Sequence, residues 1–262
     1  ALMYCKMNVL HLHFTDSDSF PIYMPSQPGM SQYGAFTPEE TYSANDIHNL
    51  VQFALTRGIR LIPELDGPAH LFSWSKNPKF NSLVECQTVW YPGTPLGQID
   101  PTVDGTYDLI KDLVGDLEAY FPWDYIHLGC DEVFEQCWTD PRIQAFIKDH
   151  NLGDWKGLFN YFVEREHGLK SEDKTAIYWL NAATDYLKFP AGSMIQFWGT
   201  TTDMKSLMNQ YADHKWIISA FDYLYLDCGM GNYFGNKSWC DYHTWRDIYY
   251  FEATKFTEKP EN

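Results

Sequence analysis

Basic residues are scarce: 19 Lys and Arg stand against 35 Asp and Glu in 262 residues, a formal net charge of -16 at pH 7. A field of that sign repels phosphate backbones and anionic membrane surfaces, so nucleic acid is excluded as an expected partner. Long apolar runs are also missing. No stretch approaches the roughly 20 apolar residues of a membrane span, and the N-terminus has no basic region leading into an apolar segment and a small-residue cleavage site. Cysteine is sparse, and none of the six forms a CxxC pair of the kind that binds zinc or carries redox chemistry. The abundant class is aromatic, at 17% with 10 Trp and 18 Tyr. Such faces cover the C–H faces of sugars or anchor interfaces, besides filling a core.

Short apolar runs rich in β-branched and aromatic residues alternate with amphipathic helical patterns, the signature of βα units around a parallel sheet. Strands are predicted at 8–14, 60–64, 125–128, 176–180, 194–198 and 216–220. Between the first two, Ser43 opens a helix whose face is Ile47, Leu50, Val51, Ala54 and Leu55, stopped at Gly58. A second runs over 106–120 with Leu109, Ile110, Leu113, Val114 and Leu117 inward, closed by Pro122. Further helices are predicted over 141–148, 155–167 and 204–212. No repeat or linker interrupts 1–262, which reads as a single domain. A dinucleotide-binding sheet requires a glycine-rich turn after its first strand, and Phe14-Thr15-Asp16-Ser17-Asp18 has none, so a barrel is favoured over an open doubly wound sheet.

Catalytic groups of a (β/α) barrel lie at the C-terminal ends of its strands. The polar residues found there are Asp16; Glu64, Asp66 and His70; Asp131 and Glu132; Trp179; Gln196 and Trp198; then Asp222, Tyr225 and Asp227. The set is carboxylates, one His and aromatics with no lysine, suited to acid-catalysed chemistry on a neutral, hydroxyl-rich substrate. In Tyr125-Ile126-His127-Leu128-Gly129-Cys130-Asp131-Glu132-Val133 a strand runs straight into adjacent acids. Mutual repulsion favours keeping one protonated; alternatively, the pair starts a solvated helix. Neighbours on one strand are poorly placed to straddle a glycosidic bond as a two-carboxylate pair must. A division of labour in which one acid protonates the leaving oxygen and the other steers a nucleophile supplied by the substrate fits better.

Four segments carry a family resemblance: Met7-Asn8-Val9-Leu10-His11-Leu12-His13-Phe14-Thr15-Asp16-Ser17-Asp18-Ser19-Phe20-Pro21; Arg57-Gly58-Ile59-Arg60-Leu61-Ile62-Pro63-Glu64-Leu65-Asp66-Gly67-Pro68-Ala69-His70; the run from His127 to Val133; and Tyr225-Leu226-Asp227-Cys228-Gly229. In this order they resemble the β-N-acetylhexosaminidases of glycoside hydrolase family 20, and Asn236-Lys237-Ser238-Trp239-Cys240 is similar to the arthropod members. The resemblance implies an exo-acting, substrate-assisted retaining hydrolysis of terminal N-acetylglucosamine or N-acetylgalactosamine through an oxazolinium intermediate. It implies Glu132 as general acid/base, Asp131 as the residue orienting the 2-acetamido group, Tyr225 as the hydroxyl holding the acetamido oxygen, and Asp16 with His70 as a pair behind the acid. Trp179 and Trp198 are then pocket walls, Asp227 a partner of sugar hydroxyls, and Trp239 a contact on the aglycone side. Core packing for the first two tryptophans and a plain loop anchor for Trp239 are the competing readings.

The resemblance further implies disulfides Cys228–Cys240 and Cys86–Cys137, leaving Cys5 and Cys130 as buried thiols, and hence an oxidising compartment: secreted, lysosomal or cell-surface. Cys130 stands where the family usually has Gly, and its side chain is expected to point away from the site. Asn236-Lys237-Ser238 is a glycosylation acceptor sequence if the protein is secreted. His11-Leu12-His13 also has the spacing of metal-dependent barrel hydrolases, but with only His70 and Asp131 as later ligands, barrel packing is the preferred reading. No metal and no cofactor are expected. The family's (β/α)8 TIM barrel has eight strands, of which equivalents of strands 2 to 7 are read here. Trp245 and Glu252 occupy no equivalent of the eighth. The chain is therefore expected to be the central part of a longer enzyme, truncated at both ends, with weak activity or none by itself. The expected partner is an N-acetylhexosamine-terminated oligosaccharide or glycoconjugate, and a homodimer of the full-length protein is one assembly open to it. A catalytically impaired fragment or carbohydrate-binding pseudoenzyme is the alternative.

Overall fold

The computed structural model describes residues 1–90, 93–228 and 240–256. The elements are β1 (Val9–His13), α1 (Gly29–Gly34), α2 (Ala44–Leu55), β2 (Arg60–Glu64), α3 (Phe72–Ser75), β3 (Val84–Glu85), β4 (Gln98–Ile99), α4 (Asp104–Tyr120), β5 (Tyr125–His127), α5 (Pro141–Asp149), α6 (Trp155–His167), β6 (Thr175–Leu180), β7 (Met194–Phe197), α7 (Thr201–Gln210), β8 (Lys215–Ile218), α8 (Phe221–Leu224) and α9 (Trp245–Tyr250). They fall into two compact units, one of Ala1–Ile177 with Leu187–Pro190, the other of Tyr178–Tyr186 with Ala191–Asn262.

In the first unit β1, β2, β5 and the opening half of β6 lie side by side, all parallel. In the second, the closing half of β6 is followed by β7 and then β8, the last pair in register from Met194↔Lys215 to Phe197↔Ile218. Within each unit the order advances in one direction with no reversal, whereas a doubly wound sheet reverses at its switch point. All six predicted sheet strands are present, with ends displaced by one or two residues.

Helix sequences explain themselves locally. The Ser43 hydroxyl accepts from the Asp46 N–H while the Asp46 carboxylate accepts from the Ser43 N–H, a reciprocal cap that starts α2. Its buried residues Ile47, Val51 and Ala54 recur at helical spacing, and Gly58, at φ +66°, turns the chain into β2. In α4 the stripe Leu109, Ile110, Leu113, Val114 and Leu117 is buried throughout. Asp154 caps α6 through the N–H groups of Lys156 and Gly157, and Leu158, Phe159, Phe162 and Val163 fill the core behind it. Burying each such side chain contributes about 2 kcal/mol. α7 begins three residues earlier than its apolar pattern predicts, because Asp222 accepts from both the N–H and the hydroxyl of Thr201. The β3–β4 ladder, Val84↔Ile99 and Glu85↔Gln98, was not predicted; two residues a side are too few to show a period.

Candidate active site

The first unit's site begins with a register. Strand pairing sets His13 beside Glu64 and Glu64 beside His127, so three chemically active side chains form one row across β1, β2 and β5 at their C-terminal ends. His11 sits on the same face of β1, two residues earlier. Glu64 is fully buried; its Oε2 lies 2.7 Å from Nε2 of His11 and 3.0 Å from Nδ1 of His13, and its Oε1 lies 3.4 Å from Nδ1 of His127. Two of these rings, His13 and His127, do not share one protonation state. His13 has a carboxylate on each nitrogen, Glu64 on Nδ1 and Asp16 on Nε2, the latter at 3.0 Å. Burial opposes its charge, but the hydrogen bonds to Asp16 and Glu64 outweigh it and raise its pKa to about 11. His127 instead accepts the Gly129 N–H on Nδ1 at 3.1 Å, which leaves its proton on Nε2. Burial lowers its pKa to about 3 against the pull of Glu64. Burial also opposes ionisation of Glu64 itself, and the hydrogen bonds from His11 and His13 with the charge of His13 more than reverse that.

Loops after these strands carry the row outward. Asp16 follows β1 and bridges two imidazoles: Oδ2 takes His13, and Oδ1 lies 3.4 Å from Nδ1 of His70. Nε2 of His70 faces the other way, 3.3 Å from Oε2 of Glu132 and 3.6 Å from Oδ2 of Asp131. Against burial, the carboxylates Asp131, Asp16 and Glu132 hold the His70 ring well above its ordinary pKa. The two rings likewise hold Asp16 well below the usual carboxylate range despite its partial burial. Asp66, beneath them, is pushed well above that range by burial and then by the charge of Asp131.

The backbone here is strained. His70, Cys130 and Glu132 adopt φ of +60°, +85° and +48°, the left-handed region that side-chain-bearing residues seldom enter. Three such residues around two adjacent carboxylates are the kind of local cost that functional sites retain. The arrangement is held by the Cys130 N–H, which donates to the Gly67 carbonyl at 2.8 Å and ties the loop after β5 to that after β2. Gly129 makes the approach possible. A Cβ on it would stand 1.8 Å from Oδ1 of Asp66, and its own φ is +68°. Asp131 and Glu132 precede any helix, since the next helical turn starts at Glu135. The helix-start reading of the pair therefore does not hold. Cys130 itself is fully buried.

Three groups of donors, His11–Glu64–His127, His13–Glu64–Asp66 and Asp66–His70–Asp131, are clustered closely enough to recruit a metal. In the first of these the geometry is that of hydrogen bonding. Two ligands of one tetrahedral zinc ion stand about 3.3 Å apart, whereas His11 and Glu64 have closed to 2.7 Å and Nδ1 of His127 is taken by Gly129.

The remaining predicted site residues belong to the second unit. Trp179 and Trp198 are half-buried, and the Trp198 N–H donates to the Leu180 carbonyl, fixing the end of β7 against β6. Gln196 is buried and donates to the Ser219 hydroxyl at 2.9 Å. Asp222 is occupied as the α7 anchor described above. Tyr225 is half-buried with its ring edge-on to Phe221, Asp227 is exposed, and Cys228 beside them is bonded to Cys240. Trp239 and Asn236 lie outside the described residues. In the first unit Cys86 is bonded to Cys137. One expectation is corrected: Cys5 is exposed, because it lies in the turn before β1 rather than on the strand. Trp245 starts α9 and Glu252 follows it, neither in a strand.

Glu64 was visible in the sequence only as one of several strand-end acids, and His11 and His13 read as packing. The alternation His-x-His opposite a strand ending in Glu was the available signal; the register that joins them was not.

A model described as glycosyl hydrolase family 20, catalytic domain, matches residues 1–262. The chain is 33% identical over 258 residues to a chitooligosaccharidolytic beta-N-acetylglucosaminidase of Bombyx mori, covering 92% of this chain and 43% of that protein. It is 34% identical over 201 residues to a beta-hexosaminidase subunit beta of Felis catus, covering 76% and 38%. The chain thus spans about two-fifths of the length of these relatives. Among solved structures, a GH20 beta-N-acetylhexosaminidase from Streptomyces coelicolor A3(2) superposes with TM-score 0.74 at 24% identity, over 96% of this chain and 50% of that one. A GH20 exo beta-N-acetylglucosaminidase from Vibrio harveyi in complex with N-acetylglucosamine gives 0.76 at 21%, over 96% and 42%. At these identities the likeness speaks for the fold, a TIM barrel of which the described residues form six strands.

Proposed function

The chain belongs to glycosyl hydrolase family 20, and from that membership we propose that the protein carrying it is an exo-β-N-acetylhexosaminidase, acting on terminal N-acetylglucosamine or N-acetylgalactosamine of an oligosaccharide or glycoconjugate. The observation that carries this reading is the meeting of Glu132 and Asp131 at one nitrogen of His70, whose other nitrogen is held by Asp16.

In the mechanism we infer, Glu132 donates its proton to the departing glycosidic oxygen, and the 2-acetamido oxygen of the substrate attacks the anomeric carbon. The C–O bond breaks as the oxazolinium ring closes. Asp131 accepts the acetamido N–H and faces the positive charge that develops there. Glu132, now a carboxylate, takes a proton from the water that opens the ring with overall retention. Each charge on Glu132 is met by the N–H of His70, so the acid is oriented in both half-reactions. Trp179, Trp198, Tyr225, Asp227 and Trp239 are proposed substrate contacts. The two disulfides favour an oxidising compartment, secreted, lysosomal or cell-surface, in which Asn236 is a candidate glycosylation site.

The test is release of 4-nitrophenol from its β-N-acetylglucosaminide and β-N-acetylgalactosaminide by the native full-length protein. Glu132→Gln is expected to lower kcat by about 100-fold or more. Asp131→Asn is expected to lower it strongly, with a smaller change in KM. A parent without turnover that still binds an N-acetylglucosamine thiazoline would mark a carbohydrate-binding protein instead.

A further inference from the structure

Two side chains beyond the Asp16–His70 pair continue the same line into the barrel wall. From the mouth inward the order is Glu132, His70, Asp16, His13, Glu64, an alternation of acid and imidazole with every step at 3.0–3.4 Å. His13 is the joint. Both of its nitrogens point at carboxylates, so a neutral ring in a single tautomer would satisfy only one of the two neighbours. Glu64 is fully buried, on a strand rather than a loop, and is gripped from β1 on one side and faced by His127 of β5 on the other. It is the rigid end of the line. Asp16, by contrast, sits on a loop, and a loop carboxylate needs a fixed donor to keep one rotamer.

We propose that Glu64, acting through His13, is a positioning residue for the general acid: it anchors His13, His13 locks Asp16, and Asp16 orients the His70 ring against Glu132. The inference rests on the hexosaminidase reading above and deepens it. No proton leaves this inner arm during turnover; Glu64 and His13 serve as a fixed pair of opposite charges. The groups that face the arm are His11 on β1, His127 on β5, Asp66 and His70 after β2, and Asp131 with Glu132 after β5. Because the arm is charged, its two members act on Glu132 with opposite sign. Removing the Glu64 charge leaves the cluster more positive and favours loss of the Glu132 proton; removing His13 leaves it more negative and favours its retention.

The experiment is the pH dependence of kcat and kcat/KM for the native full-length protein, Glu64→Gln and His13→Gln, with melting curves to establish that each variant is folded. Both are expected to lose about tenfold or more in kcat with KM within about twofold. The alkaline limb should move to lower pH in Glu64→Gln and to higher pH in His13→Gln, by about half a unit or more. Damage to packing alone would give no such opposition. Limbs that superimpose on the parent, or move in the same direction, overturn the proposal. If Glu64→Gln does not fold, the direction of the His13→Gln limb decides. A parent that turns over while Glu132→Gln is unimpaired refutes the general-acid assignment instead. If the parent shows no turnover, nitrogen shifts of the His70 ring are followed by NMR: a titration displaced in Glu64→Gln supports the arm, and an unchanged one overturns it.

Discussion

Lowering the pH from 7 to 5 should expose the price of keeping His127 neutral. This ring is fully buried, receives the Gly129 N–H on Nδ1, and has its pKa lowered to about 3 by burial. Between pH 6.5 and 3 the unfolded chain binds a proton here that the native state refuses. Stability therefore rises with pH across that window and is lost as pH falls. From pH 7 to pH 5 the difference is about 1.4 pH units of differential binding, or about 2 kcal/mol. Other groups also titrate over this interval. His13, raised to about 11, contributes stability that is fully present below its unfolded value and lost only as pH climbs towards the folded one. Its side chain is 39% exposed, so solvent screening leaves only its sign usable. Asp66 and Glu166, both held well above the usual carboxyl range by burial, stabilise the protein as pH falls. The change at pH 5 is thus diagnostic only as a difference against a variant without the ring. His127→Asn keeps an acceptor for Gly129 and removes the titration. Urea unfolding of the native protein and this variant at pH 7 and pH 5 should show the native protein losing about 2 kcal/mol more. Equal pH dependence, or a His127 ring seen by NMR to titrate near 6.5, would refute the reasoning.

Gly129→Ala sets a methyl against Asp66 Oδ1 at a backbone angle alanine resists, and should cost about 3 kcal/mol or more, a fall of about 6–12 °C in Tm by calorimetry. Cys137→Ser opens a bridge that spans 51 residues and should cost about 4 kcal/mol on chain-entropy grounds, measured by denaturant unfolding against the parent under oxidising conditions. Hydrolysis of 4-nitrophenyl β-N-acetylhexosaminides should collapse in Glu132→Gln, and the alkaline limb should split in opposite directions in Glu64→Gln and His13→Gln, as set out above.

What the sequence made legible follows from the range of each signal. The six sheet strands are apolar runs bounded by turn residues, and five longer helices carry a stripe at helical spacing, so both are written within a dozen residues. The β3–β4 ladder is not, because it joins Val84–Glu85 to Gln98–Ile99 across a loop with no period of its own. Within the site, Asp16, His70, Asp131 and Glu132 were visible as candidates because each follows a strand, and the family resemblance, not position, implied their roles. Glu64, His13 and His127 needed the pairing of three strands separated by dozens of residues, and alternation names a face but not a neighbour. The left-handed backbone of His70, Cys130 and Glu132 had no sequence signal either. It is imposed by the contact between the loops after β2 and β5, which glycine at 129 permits.

The charge balance of this cluster explains why the arm and the acid end behave differently. Five carboxyl groups, Asp16, Glu64, Asp66, Asp131 and Glu132, converge in little volume, and a low-dielectric interior cannot hold all five ionised. Asp66 is relieved by keeping its proton, as its raised pKa indicates. Glu64 and Asp16 are relieved by the doubly protonated His13 between them, and His127, kept neutral, adds no second cation to the row. His70 is then left to face Asp131 and Glu132 together, one ring against two acids. The pair of acids that shares one ring therefore falls at the solvent end of the line. That is where the proposed reaction has use for it: a proton to be given to the leaving oxygen, and a carboxylate to receive the acetamido N–H as positive charge develops.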